Sequence, residues 1–316
     1  MELSAPTVSV IIPAFNASAF IHKAIDSVLL QTYHPVDIIV VDDGSTDDTI
    51  ESLLPFENLV RIYRQENKGP AAARNLALRN AYGRYIMFLD ADDSILPHKL
   101  SRQVAILEST PHIGWTYCDI EYVNRSGEHL YLASEKFSYV NRRSLHGTLF
   151  PDLLRGNFIP VHAPLIRSES LSAVAPFDED KNLIGVEDWD LLLRLSSHYE
   201  TLYVSDVLAQ CVVHSESLSA DPKAREYRRF HLLDKAINNH SQTIRALGVP
   251  GLKIIADTHN WFAYRYLEAG ICKEAVYRLR LSIAAYPFQR RAFWALLLGL
   301  IQGAKGIARN KHDPSS

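Results

Sequence analysis

Hydrophobic positions in the first part of the chain alternate between two spacings. Val8 to Ile12 is a continuous β-branched run closed by Pro13, the pattern of a strand buried on both faces. Phe20, Ile21, Ala24, Ile25, Val28 and Leu29 then recur at helical spacing, with Asn16 or Ser18 placed to cap the start. Val36 to Val41 predicts a second buried strand, ending in Asp42-Asp43-Gly44. Ser45 and Asp48 have the spacing of a capping box for a helix running to Leu54. Val60 to Tyr63 predicts a third strand, Pro70 to Ala81 an alanine-rich helix, and Tyr85 to Leu89 a fourth strand ending in Asp90-Ala91-Asp92-Asp93. Strands alternating with helices in this way predict an α/β fold: a doubly wound, mainly parallel sheet flanked by helices.

Beyond this half the pattern becomes mixed. Ile113 to Val123 and Thr201 to Val213 read as strands, and Glu187 to Ser197 as a helix with Trp189, Leu192, Leu193 and Leu195 on its apolar face. From about Pro222 the pattern is helical, and Trp261 to Pro287 has the spacing of one tetratricopeptide-like helical hairpin. The expected organisation is an α/β domain over 1–220 with halves at about 1–110 and 111–220. A C-terminal α-helical extension over 221–316 follows.

Composition excludes several classes. The chain has 316 residues, 47% of them hydrophobic, with a net charge of -3, so no global attraction to nucleic acid is expected. Cys118, Cys211 and Cys272 are scattered and odd in number, which argues against a disulfide framework or a structural zinc site and predicts free thiols in a reducing, cytoplasmic setting. No apolar stretch reaches the length of a membrane-spanning helix. Pro13-Ala14-Phe15-Asn16 stands where a GxGxxG turn would follow the first strand, and GxxxxGK[ST] is absent, so a dinucleotide dehydrogenase and a P-loop enzyme are disfavoured.

Ligands of open α/β sheets bind beyond the carboxyl ends of the strands. Asp42 and Asp43 follow the second predicted strand; Asp90, Asp92 and Asp93 follow the fourth. Aspartate is a common turn and cap residue, which accounts for one such position better than for five on one sheet edge. Clustered carboxylates stay ionised most easily around a cation, and oxygen ligands in a compact site suit Mg²⁺ or Mn²⁺. Such ions usually complete their shell with substrate phosphates.

Six fragments, VSVIIPAFN, IIVVDDGSTDDT, NKGPAAARNLAL, YGRYIMFLDADDSILP, GVEDWDLLLRL and VVHSESLS, occur in order over residues 7 to about 219. In these the chain resembles family-2 glycosyltransferases of the GT-A fold. The resemblance implies transfer of a sugar from a nucleotide-diphosphate sugar, UDP-linked in most relatives, to an acceptor hydroxyl with inversion at the anomeric carbon. It also implies a Mn²⁺ or Mg²⁺ cofactor. Pro13, Ala14 and Asn16 match the first nucleotide-contacting loop, Asp43 the aspartate at the base or ribose, and Arg74 and Asn75 the element beside the nucleotide. Asp90-Ala91-Asp92 matches the DxD motif, its first aspartate facing the ribose and its second binding the metal, with Asp93 adjacent in support. Asp188 matches the catalytic base, with Glu187 beside it; read without the family, both are acidic residues in a first helical turn. His214 matches a position that contacts the metal or the diphosphate. A sugar nucleotidyltransferase is the nearest alternative enzyme, though its Gly-rich basic loop is missing. A non-catalytic scaffold with a degenerate transferase domain is set against by the intact Asp43, Asp90, Asp92 and Asp188.

Relatives that act on lipid-linked acceptors in surface polysaccharide or lipopolysaccharide assembly lend weight to one further feature. Between Val276 and Asn310 lie Arg278, Arg280, Arg290, Arg291, Lys305 and Arg309, no acidic residue, and a run of aromatic and leucine side chains that includes Trp294 and Leu296. Such a segment predicts peripheral contact with an anionic membrane at its inner face; packing on the catalytic domain or on a second copy of the chain, in a homodimer, is the alternative. The full chain is expected to float with anionic liposomes and a chain truncated after Pro287 to stay in the pellet. Equal behaviour of the two would remove the membrane reading.

Overall fold

A computed structural model describes residues 6–136, 147–213, 222–289, 293 and 295. They fall into two compact units that divide between Leu232 and Leu233. In the first, nine strands form one mixed sheet among the described residues: β1 (Val8–Ala14), β2 (Val36–Asp42), β3 (Arg61–Arg64), β4 (Tyr85–Phe88), β5 (Ser94–Ile95), β6 (Trp115–Val123), β7 (His129–Leu132), β8 (Pro164–Arg167) and β9 (Thr201–Val212). Their order is β3-β2-β1-β4-β8-β6-β9-β5, with β7 on β6. The first four are parallel, and β8 runs antiparallel between β4 and β6. The helices are α1 (Ile21–Leu29), α2 (Thr49–Leu53), α3 (Pro70–Asn80), α4 (Lys99–Ser109), α5 (Ala133–Lys136), α6 (Phe150–Leu153), α7 (Ser168–Ala173) and α8 (Glu187–Ser196). This is the α/β architecture expected, and Val10, Ile11, Ile12, Ile39, Val40 and Val41 at its centre are fully buried.

The structure departs from the sequence reading at several points. Strand β1 continues through Pro13, which pairs in register with Val41. Pairing of β1 with β4 ends at Ile11 and Phe88. Backbone groups of residues 11 and 13 point to the same side, so the N–H that Pro13 lacks falls where β4 has already left. Neither expected cap forms. Helix α1 begins after Phe20 without a side-chain cap, and α2 after Asp48 likewise. The polar groups pin one loop to another instead. Asn16 Oδ1 accepts from the Thr46 N–H at 2.9 Å, and the Asn16 N–H donates to Ser45 Oγ at 2.9 Å. Ser18 Oγ donates to Asp47 at 2.7 Å.

Helix α4 carries a fully buried lysine. Lys99 Nζ donates to Gln103 Oε1 at 2.6 Å and to the Ala163 carbonyl at 2.8 Å, and it stands 3.3 Å from Cys118 Sγ. Burial lowers the Lys99 pKa and raises that of the Cys118 thiol.

The second unit is helical. Helix α9 (Pro222–Asn239) crosses the division, and α10 (Ser241–Ala246), α11 (Val249–Glu268) and α12 (Cys272–Ala285) follow. The hairpin anticipated between Trp261 and Pro287 is α11 and α12, turning at Gly270, where φ is +75° and glycine avoids a Cβ clash. Ala263, Leu279 and Ala295 form its core, with Leu267 and Ile283 against it. Asp234 and Arg278 pair within the same unit. Among the described residues no helix is long and apolar enough to cross a membrane. Arg290, Arg291, Trp294, Leu296, Lys305 and Arg309 lie outside the described residues.

Candidate active site

The carboxyl ends of β1, β2 and β4 open onto a pocket of about 820 Å³. Pro13, Ala14 and Asn16 form part of its wall. Asn16 has φ +49°, a left-handed conformation that asparagine tolerates better than most residues. Asp43 also lines the pocket and is buried. Its Oδ1 accepts from Gln65 at 2.7 Å and from the Lys68 N–H at 2.9 Å; its Oδ2 accepts from the Gly69 N–H at 2.8 Å. Asp43 thereby ties the end of β2 to the turn that starts α3.

Arg74 and Asn75 are neighbours on α3 with different surroundings. Arg74 is 3% exposed, and donates to Asp90 Oδ1 at 2.7 Å and to Glu187 Oε1 at 2.7 Å. Its guanidinium lies over the Phe177 ring, 5.2 Å from the centroid. Burial alone would lower its pKa, but Asp90 and Glu187 outweigh that and raise it. Asn75 does not reach the pocket wall. Its amide donates to the Phe177 carbonyl at 2.9 Å and to Glu179 at 2.8 Å, and accepts from the Phe177 N–H at 2.9 Å. It is a clamp on the segment under Arg74.

Asp90, Asp92 and Asp93 face one another after β4, with carboxylate oxygens within 4.8 Å. Asp90 is balanced by Arg74. Asp93 is buried; its Oδ1 accepts from the Val212 N–H at 2.9 Å and its Oδ2 lies 2.9 Å from His162 Nδ1. Three carboxylates this close repel one another unless a cation stands among them. The oxygen donor set fits Mg²⁺ or Mn²⁺, so these residues can hold such an ion. His214 and Ser215 to Ser219 lie outside the described residues.

At the start of α8 the two acidic residues divide. Glu187 is committed to Arg74 and to the Gly185 N–H. Asp188 lines the pocket and makes no ion pair among the described residues. It accepts from Asn157 at 3.2 Å and from the Trp189 N–H at 2.7 Å. Burial, and next the charge of Glu187, push its carboxyl up to about 7. Trp189 is buried, its indole N–H donating to the Leu153 carbonyl at 2.8 Å; it packs and does not line the pocket.

His162, Cys211 and Asn157 join this site without having been singled out in the sequence. His162 is the single polar side chain between Ile159 and Leu165, which was the available signal. Nothing in the surroundings of Cys211 or Asn157 along the chain marks them.

The glycosyl transferase family 2 model matches residues 9–163. An uncharacterized glycosyltransferase of Rickettsia typhi, RT0329, is 34% identical over 213 residues, covering 66% of this chain and 64% of the relative. The chain belongs to glycosyl transferase family 2. Another relative in the family is WfaP of Escherichia coli, named UDP-Glc:alpha-D-GlcNAc-diphosphoundecaprenol beta-1,3-glucosyltransferase. It is 43% identical over 104 residues, 32% of this chain and 41% of WfaP. The chain spans 30–66% of the length of three curated Rickettsia relatives that it matches. Among solved structures, residues 1–349 of Staphylococcus aureus TarS superpose with a TM-score of 0.61 at 19% identity, covering 96% of this chain and 88% of that one. A mannosyltransferase of Pyrobaculum calidifontis, in complex with GDP-Man and Mn²⁺, superposes with a TM-score of 0.58 at 21% identity, covering 98% and 81%. These likenesses show the GT-A fold, mainly parallel strands between helices.

In this family-2 chain Arg74 joins two parts of the site that are 113 residues apart. Arg74→Met is expected to cost about 3–5 kcal/mol, because Glu187 stays buried with its charge uncompensated. Urea denaturation of both proteins measures it; an unchanged midpoint would show that the pair is dispensable.

Proposed function

We propose that the protein is an inverting, metal-dependent glycosyltransferase that moves a sugar from a UDP-linked donor to an acceptor hydroxyl in surface polysaccharide or lipopolysaccharide assembly. The observation that carries this reading is the division of labour at Glu187 and Asp188. Glu187 is neutralised by Arg74, while Asp188 is a half-buried pocket carboxyl whose proton affinity is raised toward neutrality. A group of that kind suits general-base catalysis near pH 7.

In this reading Asp188 takes the proton of the acceptor hydroxyl as that oxygen forms its bond to the anomeric carbon. The bond from the anomeric carbon to the diphosphate oxygen breaks at the same time, and its electron pair leaves with the nucleoside diphosphate. Attack from the face opposite the leaving group inverts the centre. Asp90, Asp92 and Asp93, with His214, would hold the divalent cation, which when bound neutralises charge on the departing diphosphate. Arg74 keeps Asp90 in place, and Asp43, Asn16, Pro13 and Ala14 shape the pocket that receives the nucleotide. Asn75 acts beneath the site by holding Phe177. WfaP's UDP-glucose donor and the TarS complex with UDP-GlcNAc support a UDP-linked donor; the mannosyltransferase complex with GDP-Man makes GDP the comparison to run. The acceptor class follows WfaP, whose acceptor is a lipid-linked sugar. The basic C-terminal segment supports work at the inner face of a membrane.

Thermal melting with UDP-, GDP-, dTDP- and CMP-linked sugars, with and without Mn²⁺, tests the donor site. A rise in Tm with UDP-linked sugars that needs Mn²⁺ and is lost in Asp92→Ala is expected, because ligand binding to the folded state stabilises it. A flat response to every nucleotide would set the donor reading aside.

Asp188→Asn is expected to lower kcat about 10²–10⁴-fold. In the wild type kcat/KM should fall as pH drops through about 7, where Asp188 becomes protonated. The linkage has a definite sign. Asp188 binds its proton more tightly folded than unfolded, so the cost to stability grows as pH rises from the ordinary carboxyl value of 3.8 and is complete above about 7. Asp188→Asn should therefore melt higher than the wild type at pH 8 while being nearly inactive. An active Asp188→Asn enzyme would remove Asp188 as the base.

A further inference from the structure

Beside the DxD carboxylates lies a second group of ligating side chains, of which the proposed reaction uses Asp93 alone. Asp93 follows β4, His162 precedes β8, and Cys211 lies on β9. Their ligand atoms lie within 4.8 Å of one another, and all three residues border the pocket. His162 is 1% exposed. Its Nδ1 is 2.9 Å from Asp93 Oδ2, and its Nε2 has no hydrogen-bond partner among the described residues. A buried imidazole nitrogen left unpaired is uncommon and calls for a ligand. Cys211 stands beside Asp93, and Asp93 is shared with the Asp90 and Asp92 group, so a cation here would also offset the repulsion among those carboxylates.

We propose that Asp93, His162 and Cys211 form a binding site for a borderline divalent cation of the Zn²⁺ class, separate from the all-oxygen position at Asp90 and Asp92. The donor chemistry decides the class. One imidazole, one thiolate and one carboxylate are the ligand types Zn²⁺ takes, whereas Mg²⁺ and Mn²⁺ prefer oxygen alone. Three protein ligands leave a fourth position for water or a pocket ligand. On binding, the Cys211 thiol releases its proton to solvent and the sulfur coordinates as thiolate. Asp93 belongs to both groups, so the two positions share one ligand.

Co²⁺ is the probe, because a thiolate ligand gives it a charge-transfer band in the near ultraviolet. Titrating the full chain with Co²⁺ should produce that band, Zn²⁺ should abolish it, and excess Mg²⁺ should not. Cys211→Ser should lose the band, while Cys118→Ser, Cys272→Ser and Asp92→Asn keep it. His162→Gln should weaken the Co²⁺ midpoint by at least about tenfold. A measurement on the unaltered chain guards against misfolded variants: Zn²⁺ should slow iodoacetamide labelling at Cys211, located by mass spectrometry, and leave Cys272 unaffected. A band that is absent or survives Cys211→Ser, or labelling of Cys211 that Zn²⁺ does not slow, overturns the site.

Discussion

The guanidinium of Arg74 sets the charge balance at the carboxyl end of the sheet. Asp43 aside, five carboxylates converge there, from Asp90, Asp92, Asp93, Glu187 and Asp188, around a pocket partly closed off from water. Attraction and repulsion both grow as water is excluded. One cation that is 3% exposed and bonded to two of the five lets the others remain close. Its position depends on Phe177 beneath it, and Phe177 depends on the backbone clamp made by Asn75. Through Glu187, Arg74 also leaves Asp188 without an ion pair among the described residues. Arg74 neutralises one of two adjacent acids and leaves the other facing the pocket, so a single helical turn holds two carboxyls in different electrostatic surroundings.

The loops around the pocket are held by side-chain-to-backbone hydrogen bonds more than by apolar packing. Asp43 takes donors from Gln65, Lys68 and Gly69, and Asn16 and Ser45 join the loops after β1 and β2. A polar wall of this type can present backbone and carboxylate groups to a charged ligand while keeping its own geometry. Each bond adds little net stability, but leaving any of the buried groups unpaired is costly. The polar residues near the carboxyl ends of the strands therefore do two jobs, and the motif positions divide between them. Asn75, matched by resemblance to a nucleotide-side element, stands in the supporting group.

Periodicity read the strands and helices well where one face of the element is uniformly apolar. Strands β1, β2 and β4 needed nothing beyond their hydrophobic runs, and its alanines marked helix α3 although Arg74 and Asn75 are buried on it. Helix α4 was hidden because Lys99 and Gln103, four residues apart, occupy its buried face and satisfy each other there. Strand β8 was hidden because four residues opening on a proline carry too little pattern. The caps foreseen at Asn16 and Ser45 failed for a common reason: short polar side chains near a helix start bond whichever backbone group lies nearest, and the neighbouring loop was nearer; Ser18 is taken by Asp47 instead.

What the sequence by itself determined is the part that follows from local spacing. That covers the α/β order, the aspartates placed beyond strand ends, and the acidic pair opening α8. Such features need only neighbours along the chain, since burial of a hydrophobic run dictates where its polar ends emerge. The tertiary structure decided everything that requires two distant segments to meet. It gave Glu187 an ion pair by bringing Arg74 to it across 113 residues, set Asn75 against Phe177, and gathered Asp93, His162 and Cys211 from three separate elements. Electrostatic coupling and ligand geometry fall off within a few ångströms, so they depend on spatial separations that the order of residues does not contain.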